Sequence, residues 1–395
     1  MKKFLAVILA MTMVMALVAC GGGNSSSSDS SSAPAADTQS TDSGAAADAA
    51  PAGSDLRVAM ITDYGDITDQ SFNQTTYEAA KSWSEANGAD FTYFKPASDS
   101  DDDRIAMIEK AIDEGYGVIV MPGYAFGPAI VATAPEYDDV IFIALDVSAG
   151  DLGEGFEVPE NLYCAVYQEE LCGYMAGYAA VKLGYSKLGF LGGMAVPAVV
   201  RYGYGFVQGA DAAAAADGKT DVSLKYAYGN QFYGDGDITA AMDTWYADGT
   251  EVVFACGGGI FTSAAEAAAK VGGKVIGVDV DQAPIIDSAY GDGMTVTSAM
   301  KGLAATVNSL LTAVQNGSFA GGKVDNLGLV STNPEENYVQ IPMGSTQWNG
   351  DFSQDDYKAL VADMFSGKIT VSNDITKGAA DFATVISVSD LGNIK

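Results

Sequence analysis

Histidine is absent from the 395 residues. Its absence removes His-based nucleophile triads, His proton shuttles and His-ligated metals together. Basic residues are scarce: 20 Lys and Arg stand against 51 Asp and Glu, a formal net charge of −31. That balance offers no footprint for nucleic acid, whose binding is driven by counterion release from phosphates. It also works against phosphate-rich ligands and anionic surfaces. Cysteines number four, Cys20, Cys164, Cys172 and Cys256. The last three sit in apolar stretches at spacings that fit neither a metal site nor a disulfide framework. They read as small buried hydrophobes, with a Cys164–Cys172 bridge left open. Motifs for phosphate and calcium chemistry are incomplete. Gly218-Lys219-Thr220 ends like a P-loop but Ala213 holds the first-glycine position, and Asp99–Asp103 runs into Arg104 where a calcium loop needs glycine.

What is present is a globular composition, 48% hydrophobic and 10% aromatic. The chain opens with Lys2 and Lys3 before an apolar run, Phe4 to Ala19, too short for a comfortable membrane span. This is a secretory signal, and Leu17-Val18-Ala19-Cys20 resembles a bacterial lipobox, with Cys20 as the lipidated first residue of the mature chain. Removing residues 1–19 takes away two lysines and no acid, so the charge becomes −33. Stable anchoring takes more than one acyl chain. Residues 21–55 contain no aromatic, no large aliphatic and no cation, and are expected to be a flexible tether.

From Leu56 the pattern alternates. Arg57–Thr62 reads as a buried strand, the apolar positions Phe72, Thr76, Ala79, Ala80 and Trp83 as a helix, and the cycle continues to a strand near Thr295–Ala299 and a helix over Leu303–Val314. Continuous apolar strands alternating with helices predict parallel sheets covered on both faces; the length suggests two or three domains, and two such runs in series suggest two doubly wound lobes. Ligands in such sheets bind beyond the carboxyl ends of strands. Carboxylates and bare glycine backbone recur there: Asp63 after the first strand, Asp146 after the fourth, Gly257-Gly258 after Val252–Ala255, and Asp279 after Val275–Val278. An Asp at a strand end often caps the next turn, but Asp63 has no evident local duty once Asp69 or Ser71 caps the following helix. Three such acids point to a polar ligand more strongly than any one does. Lys301 is a lone cation near a strand end.

These residues assemble into a pattern. Asp63-x-Gly65-x-x-x-Asp69-x-Ser71-Phe72-Asn73 resembles the signature of the basic membrane protein (BMP) family of ABC-transporter substrate-binding lipoproteins, purine nucleoside receptor type. Gly189–Met194 with Pro197 and Arg201, Gly257-Gly258, Gly277–Gln282 and Thr297–Lys301 match further motifs in the same order. The resemblance covers about residues 56–320 and implies a type I periplasmic-binding-protein fold with a three-crossover hinge. On that reading the first lobe takes residues 56–165 and about 295–330, and the second 166–294 and about 331–395. It implies a nucleoside held between two aromatic rings, Phe72 and a second ring at Phe232 or Tyr233, with Phe232 favoured. Base-reading polar positions map to Asp63 and Asp146, with Asn73 beside them in the signature. Ribose contacts map to Gly257, Gly258, Asp279 and Lys301. The expected protein is a monomer on the extracytoplasmic face of the cell membrane, with an ABC permease as partner and no catalytic residue, cofactor, metal or nucleic acid. Two alternatives stay open: a sugar or other small polar ligand in the same fold, and a hydrolase using Asp63 and Asp146 as paired carboxylates.

Overall fold

The computed structural model describes residues 56–395. The signal segment, Cys20 and the tether lie outside the described residues.

The first sheet begins with β1 (Arg57–Ile61), α1 (Phe72–Asn87), β2 (Asp90–Phe94), α2 (Asp101–Asp113), β3 (Val118–Pro122), α3 (Gly127–Thr133), β4 (Ile141–Leu145), α4 (Ala149–Leu152) and β5 (Leu162–Tyr167). The chain then crosses to α5 (Glu169–Lys182), β6 (Lys187–Gly192), α6 (Pro197–Asp217), β7 (Ser223–Tyr228), α7 (Gly236–Ala247), β8 (Val252–Cys256), α8 (Phe261–Val271), β9 (Lys274–Asp279), α9 (Ala283–Tyr290) and β10 (Thr295–Lys301). It returns through α10 (Leu303–Gln315) to β11 (Lys323–Leu327) and crosses again to β12 (Val339–Gln340), α11 (Gln354–Phe365) and β13 (Ser387–Asn393). One sheet has the order β11-β5-β4-β3-β1-β2, the other β12-β10-β9-β8-β6-β7-β13. Every pairing is parallel except β10 with β12.

Strand periodicity divides each sheet between two cores. In β1, Val58 and Met60 pack with Ala80 and Trp83 of α1, while Ala59 and Ile61 face Ile108 of α2 and Ile130 of α3. In the second sheet, Phe190 and Phe254 face α6, and Leu191 and Val253 face α7 and α8. Helices therefore cover both faces, and only the strand ends are left to meet a ligand. The helices α5 and α6 pack with their backbones in near contact: a Cβ at Gly173 would fall 2.2 Å from the Tyr202 carbonyl oxygen, and one at Gly209 2.0 Å from that of Tyr174. This closeness sets the first turns of α5 and α6 side by side.

Strand β10 corrects the expected lobe boundary. It pairs with β9 and belongs to the second sheet, whereas α10, which packs on α1, and β11 return to the first. The boundary therefore falls at Gly302, where alternating βα units continue without a change in pattern. The chain crosses between lobes at Tyr167–Glu169, Lys301–Leu303 and Leu327–Val339. Backbone bonds stitch these crossings together: Gln168 N–H donates to the Leu327 carbonyl at 2.9 Å, Tyr338 N–H to Gly328 at 3.1 Å, and Gly302 N–H to Tyr338 at 2.7 Å. The three cysteines of the described residues are free and buried, so no Cys164–Cys172 bridge forms.

Candidate ligand-binding cleft

The carboxyl ends of both sheets face a cavity of about 750 Å³ between the lobes. All nine ligand positions expected from the sequence line it: Asp63, Phe72, Asn73 and Asp146 from the first lobe, and Phe232, Gly257, Gly258, Asp279 and Lys301 from the second.

Backbone conformation brings the acids there. Asp146 and Asp279 have φ of 57° and 66°, in the left-handed region that non-glycine residues seldom occupy. Gln70 and Asn230 share it, and all four such residues among those described line this one cavity. Holding such conformations costs about 1–3 kcal/mol each and is typical of ligand clamps.

The first wall is the loop before α1. Asp69 caps the helix, accepting from the N–H groups of Ser71 and Gln74 at 3.0 Å and of Asn73 at 2.9 Å. Ser71 is thereby released from capping. Its hydroxyl crosses the cleft to donate to Asp279 Oδ2 at 2.5 Å. Asp63 does have a local duty, against expectation: its Oδ1 accepts from Tyr64 N–H at 2.6 Å and Gly65 N–H at 2.7 Å. Burial raises its carboxyl above the usual range, against the pull of those two N–H groups. Asn73 is 5% exposed, and its Oδ1 has no partner.

On the second wall the ring of Phe232 lies on bare backbone. A Cβ added at Gly193 would come within 2.5 Å of Phe232 Cδ1, and one at Gly257 within 3.0 Å. Tyr233 is 63% exposed at the rim, so Phe232 forms the wall.

A buried ionic cluster joins the walls. Lys301 Nζ lies 2.5 Å from Asp146 Oδ2, 3.6 Å from Asp279 Oδ1 and 3.7 Å from Glu169 Oε1. The same ammonium sits 4.7 Å from the ring centroid of Phe72 and 5.6 Å from those of Tyr167 and Tyr202, a cation–π cage. Burial would lower the Lys301 pKa, but Asp146, Asp279 and Glu169 outweigh it and hold the ammonium charged. Burial pushes Asp146 up to about 6 despite Lys301. Its Oδ1 has no partner. Arg201, in the second turn of α6, donates from Nε to Glu169 Oε2 at 2.7 Å. Lys301, expected to contact the ribose, is engaged within the protein by three carboxylates.

The lobes touch through this cluster and around it. Besides the Ser71–Asp279 and Lys301–Asp146 bonds, Gln282 Nε2 donates to the Gln70 carbonyl at 3.0 Å, and the Tyr64 hydroxyl lies 3.6 Å from Met194 Sδ.

Sequence reasoning missed Glu169, Ser71 and Tyr202 as members of the network. Glu169 opens α5 beside Glu170, where acids commonly favour a helix start without any further role. The one available signal was two consecutive acids opening an otherwise apolar helix.

A family model described as ABC transporter substrate-binding protein PnrA-like (Bmp) matches residues 56–363. The chain belongs to the Bmp family. Members are substrate-binding proteins of ABC transporters and not enzymes. A Bmp relative from Lactococcus lactis subsp. cremoris, the ABC transporter nucleoside-binding protein BmpA, is 29% identical, covering 80% of this chain and 89% of its own. Basic membrane protein B of Borreliella burgdorferi is 27% identical over 69% of this chain and 78% of its own. Among solved structures, an ABC transporter solute-binding protein from Conexibacter woesei is 25% identical, covers 80% of this chain and 99% of that one, and has a TM-score of 0.61. The Bmp chain shares the type I fold of periplasmic solute-binding proteins.

Proposed function

We propose that the protein captures a nucleoside, a purine by preference, in the interlobe cleft and delivers it to the permease of an ABC importer. It acts as a monomer, held by lipid at Cys20 on the extracytoplasmic face of the membrane. The observation that carries this reading is the placing of Phe72 and Phe232 on opposite walls of one cavity that also holds unpartnered buried acceptors, Asn73 Oδ1 and Asp146 Oδ1. A flat base gains about 1–3 kcal/mol from stacking on an aromatic ring, and a purine edge supplies the N–H donors that such acceptors lack. Asp279, the Gly257-Gly258 turn and the Lys301 cluster are the counterpart for ribose hydroxyls. The nucleoside-binding relative supports the same reading. Lobe closure about the three crossings is the expected motion.

The test is the ligand that leaves with the protein. Protein purified without added ligand and then denatured releases an ultraviolet-absorbing purine nucleoside, identified by mass. Release of a monosaccharide in its place rejects the reading.

A further inference from the structure

Seven aspartates line the cleft against two cations, Arg201 and Lys301. Neither cation is free. Lys301 is surrounded by Asp146, Asp279 and Glu169, and Arg201 is bonded to Glu169. Among the lining side-chain atoms that are fully buried and lack a partner, Asn73 Oδ1 and Asp146 Oδ1, both are acceptors, and none is a donor. Asn73 is itself 95% buried. Asp146 faces Lys301, Glu169 and Asp279, with Arg201 and the Tyr167 hydroxyl near. Asp66 pairs with Lys95 and Asp99 with Arg104; the remaining five aspartates still outnumber the two lining cations, so a ligand atom in the cavity meets net negative charge and empty acceptor positions, and like charges repel more strongly there than in bulk water.

We propose that the cleft selects its ligand by charge: it admits neutral purine nucleosides that present hydrogen-bond donors and excludes the same ring system once it carries a negative charge. This rests on the nucleoside reading above. Guanosine and xanthosine separate the two conditions, because they share the purine and ribose but xanthosine loses a proton below neutral pH and guanosine does not.

The experiment is titration calorimetry of ligand-stripped protein with each nucleoside at about pH 7.5 and about pH 5. Guanosine binds at both. Xanthosine binds more weakly than guanosine by about tenfold or more at the higher pH, and the gap narrows at the lower pH, where the ligand is neutral and Asp146, with its carboxyl pushed up to about 6, has also lost most of its charge. In Asp146→Asn, which removes one acid and leaves Lys301 less compensated, the gap at the higher pH shrinks. Equal binding of both nucleosides at the higher pH overturns the proposal and leaves the nucleoside reading intact. So does a gap that does not change with pH, which would assign the discrimination to the amino group and not to charge. Binding of neither nucleoside overturns the underlying reading.

Discussion

Replacing Lys301 with methionine keeps most of the apolar stem of the side chain and removes the ammonium, with its charge and its N–H donors. The consequence follows from the three carboxylates within 4 Å of the ammonium: Asp146 at 2.5 Å, Asp279 at 3.6 Å and Glu169 at 3.7 Å. Breaking a buried ion pair by removing one partner costs about 3–5 kcal/mol. A second route gives a similar figure. Without Lys301 the acids cannot all stay ionised, and the cheapest relief is to protonate one. Holding a proton at pH 7 on an acid of ordinary pKa near 4 costs about three pH units at about 1.4 kcal/mol each, or about 4 kcal/mol. The sign follows from linkage. A carboxyl raised in the folded state favours folding at low pH, and that advantage is lost as pH rises through its folded value, already about 6 for Asp146 with Lys301 present. The destabilisation should therefore fall to about 1.5 kcal/mol near pH 5. Equilibrium urea unfolding of ligand-stripped wild type and Lys301→Met at the two pH values measures it. A loss below about 1 kcal/mol at pH 7, or one independent of pH, refutes the account of the cluster.

Other changes probe the cleft and the fold. Phe72→Ala should weaken nucleoside binding by about one to two orders of magnitude, the loss of one stacking face, while Tyr233→Ala at the exposed rim changes it little; calorimetry on both variants decides. Gly193→Ala places a methyl against Phe232 and should cut affinity while leaving the melting temperature nearly unchanged, as thermal scanning with and without ligand would read. Ser71→Ala removes an interlobe bond to a charged acceptor, worth about 1.5–3 kcal/mol, and should shift ligand-bound protein toward more open shapes in small-angle scattering. Asp211 accepts from the backbone N–H groups of Thr384, Val385 and Ile386 and from the Thr384 hydroxyl. Asp211→Ala should free the C-terminal segment to limited proteolysis at sites after residue 380.

The alternation of strands and helices was legible because each βα unit buries its own apolar strand, and strand ends could be located from that rhythm alone. All nine expected ligand positions line one cavity for this reason. The lobe assignment of β10 was not legible. Its residues read as a buried strand in either sheet, and what decides is pairing with β9, a contact that leaves no trace in local pattern. The ionic cluster was half legible. Asp146, Asp279 and Lys301 stood out at strand ends, but Glu169 reaches Lys301 from 132 positions away and Arg201 from 32, and only the close packing of α5 on α6 brings them in. The C-terminal segment was the least legible, because β12 spans only two residues, Val339 and Gln340, too few for a period, and β13 is an edge strand whose mostly exposed side chains carry little periodicity.

The central claim is that one nucleoside occupies the cleft between Phe72 and Phe232. Titration calorimetry with inosine tests it most directly. One equivalent of inosine should bind per chain with saturable heat. Absence of heat with inosine, guanosine and adenosine alike, in protein that binds a monosaccharide, would contradict it.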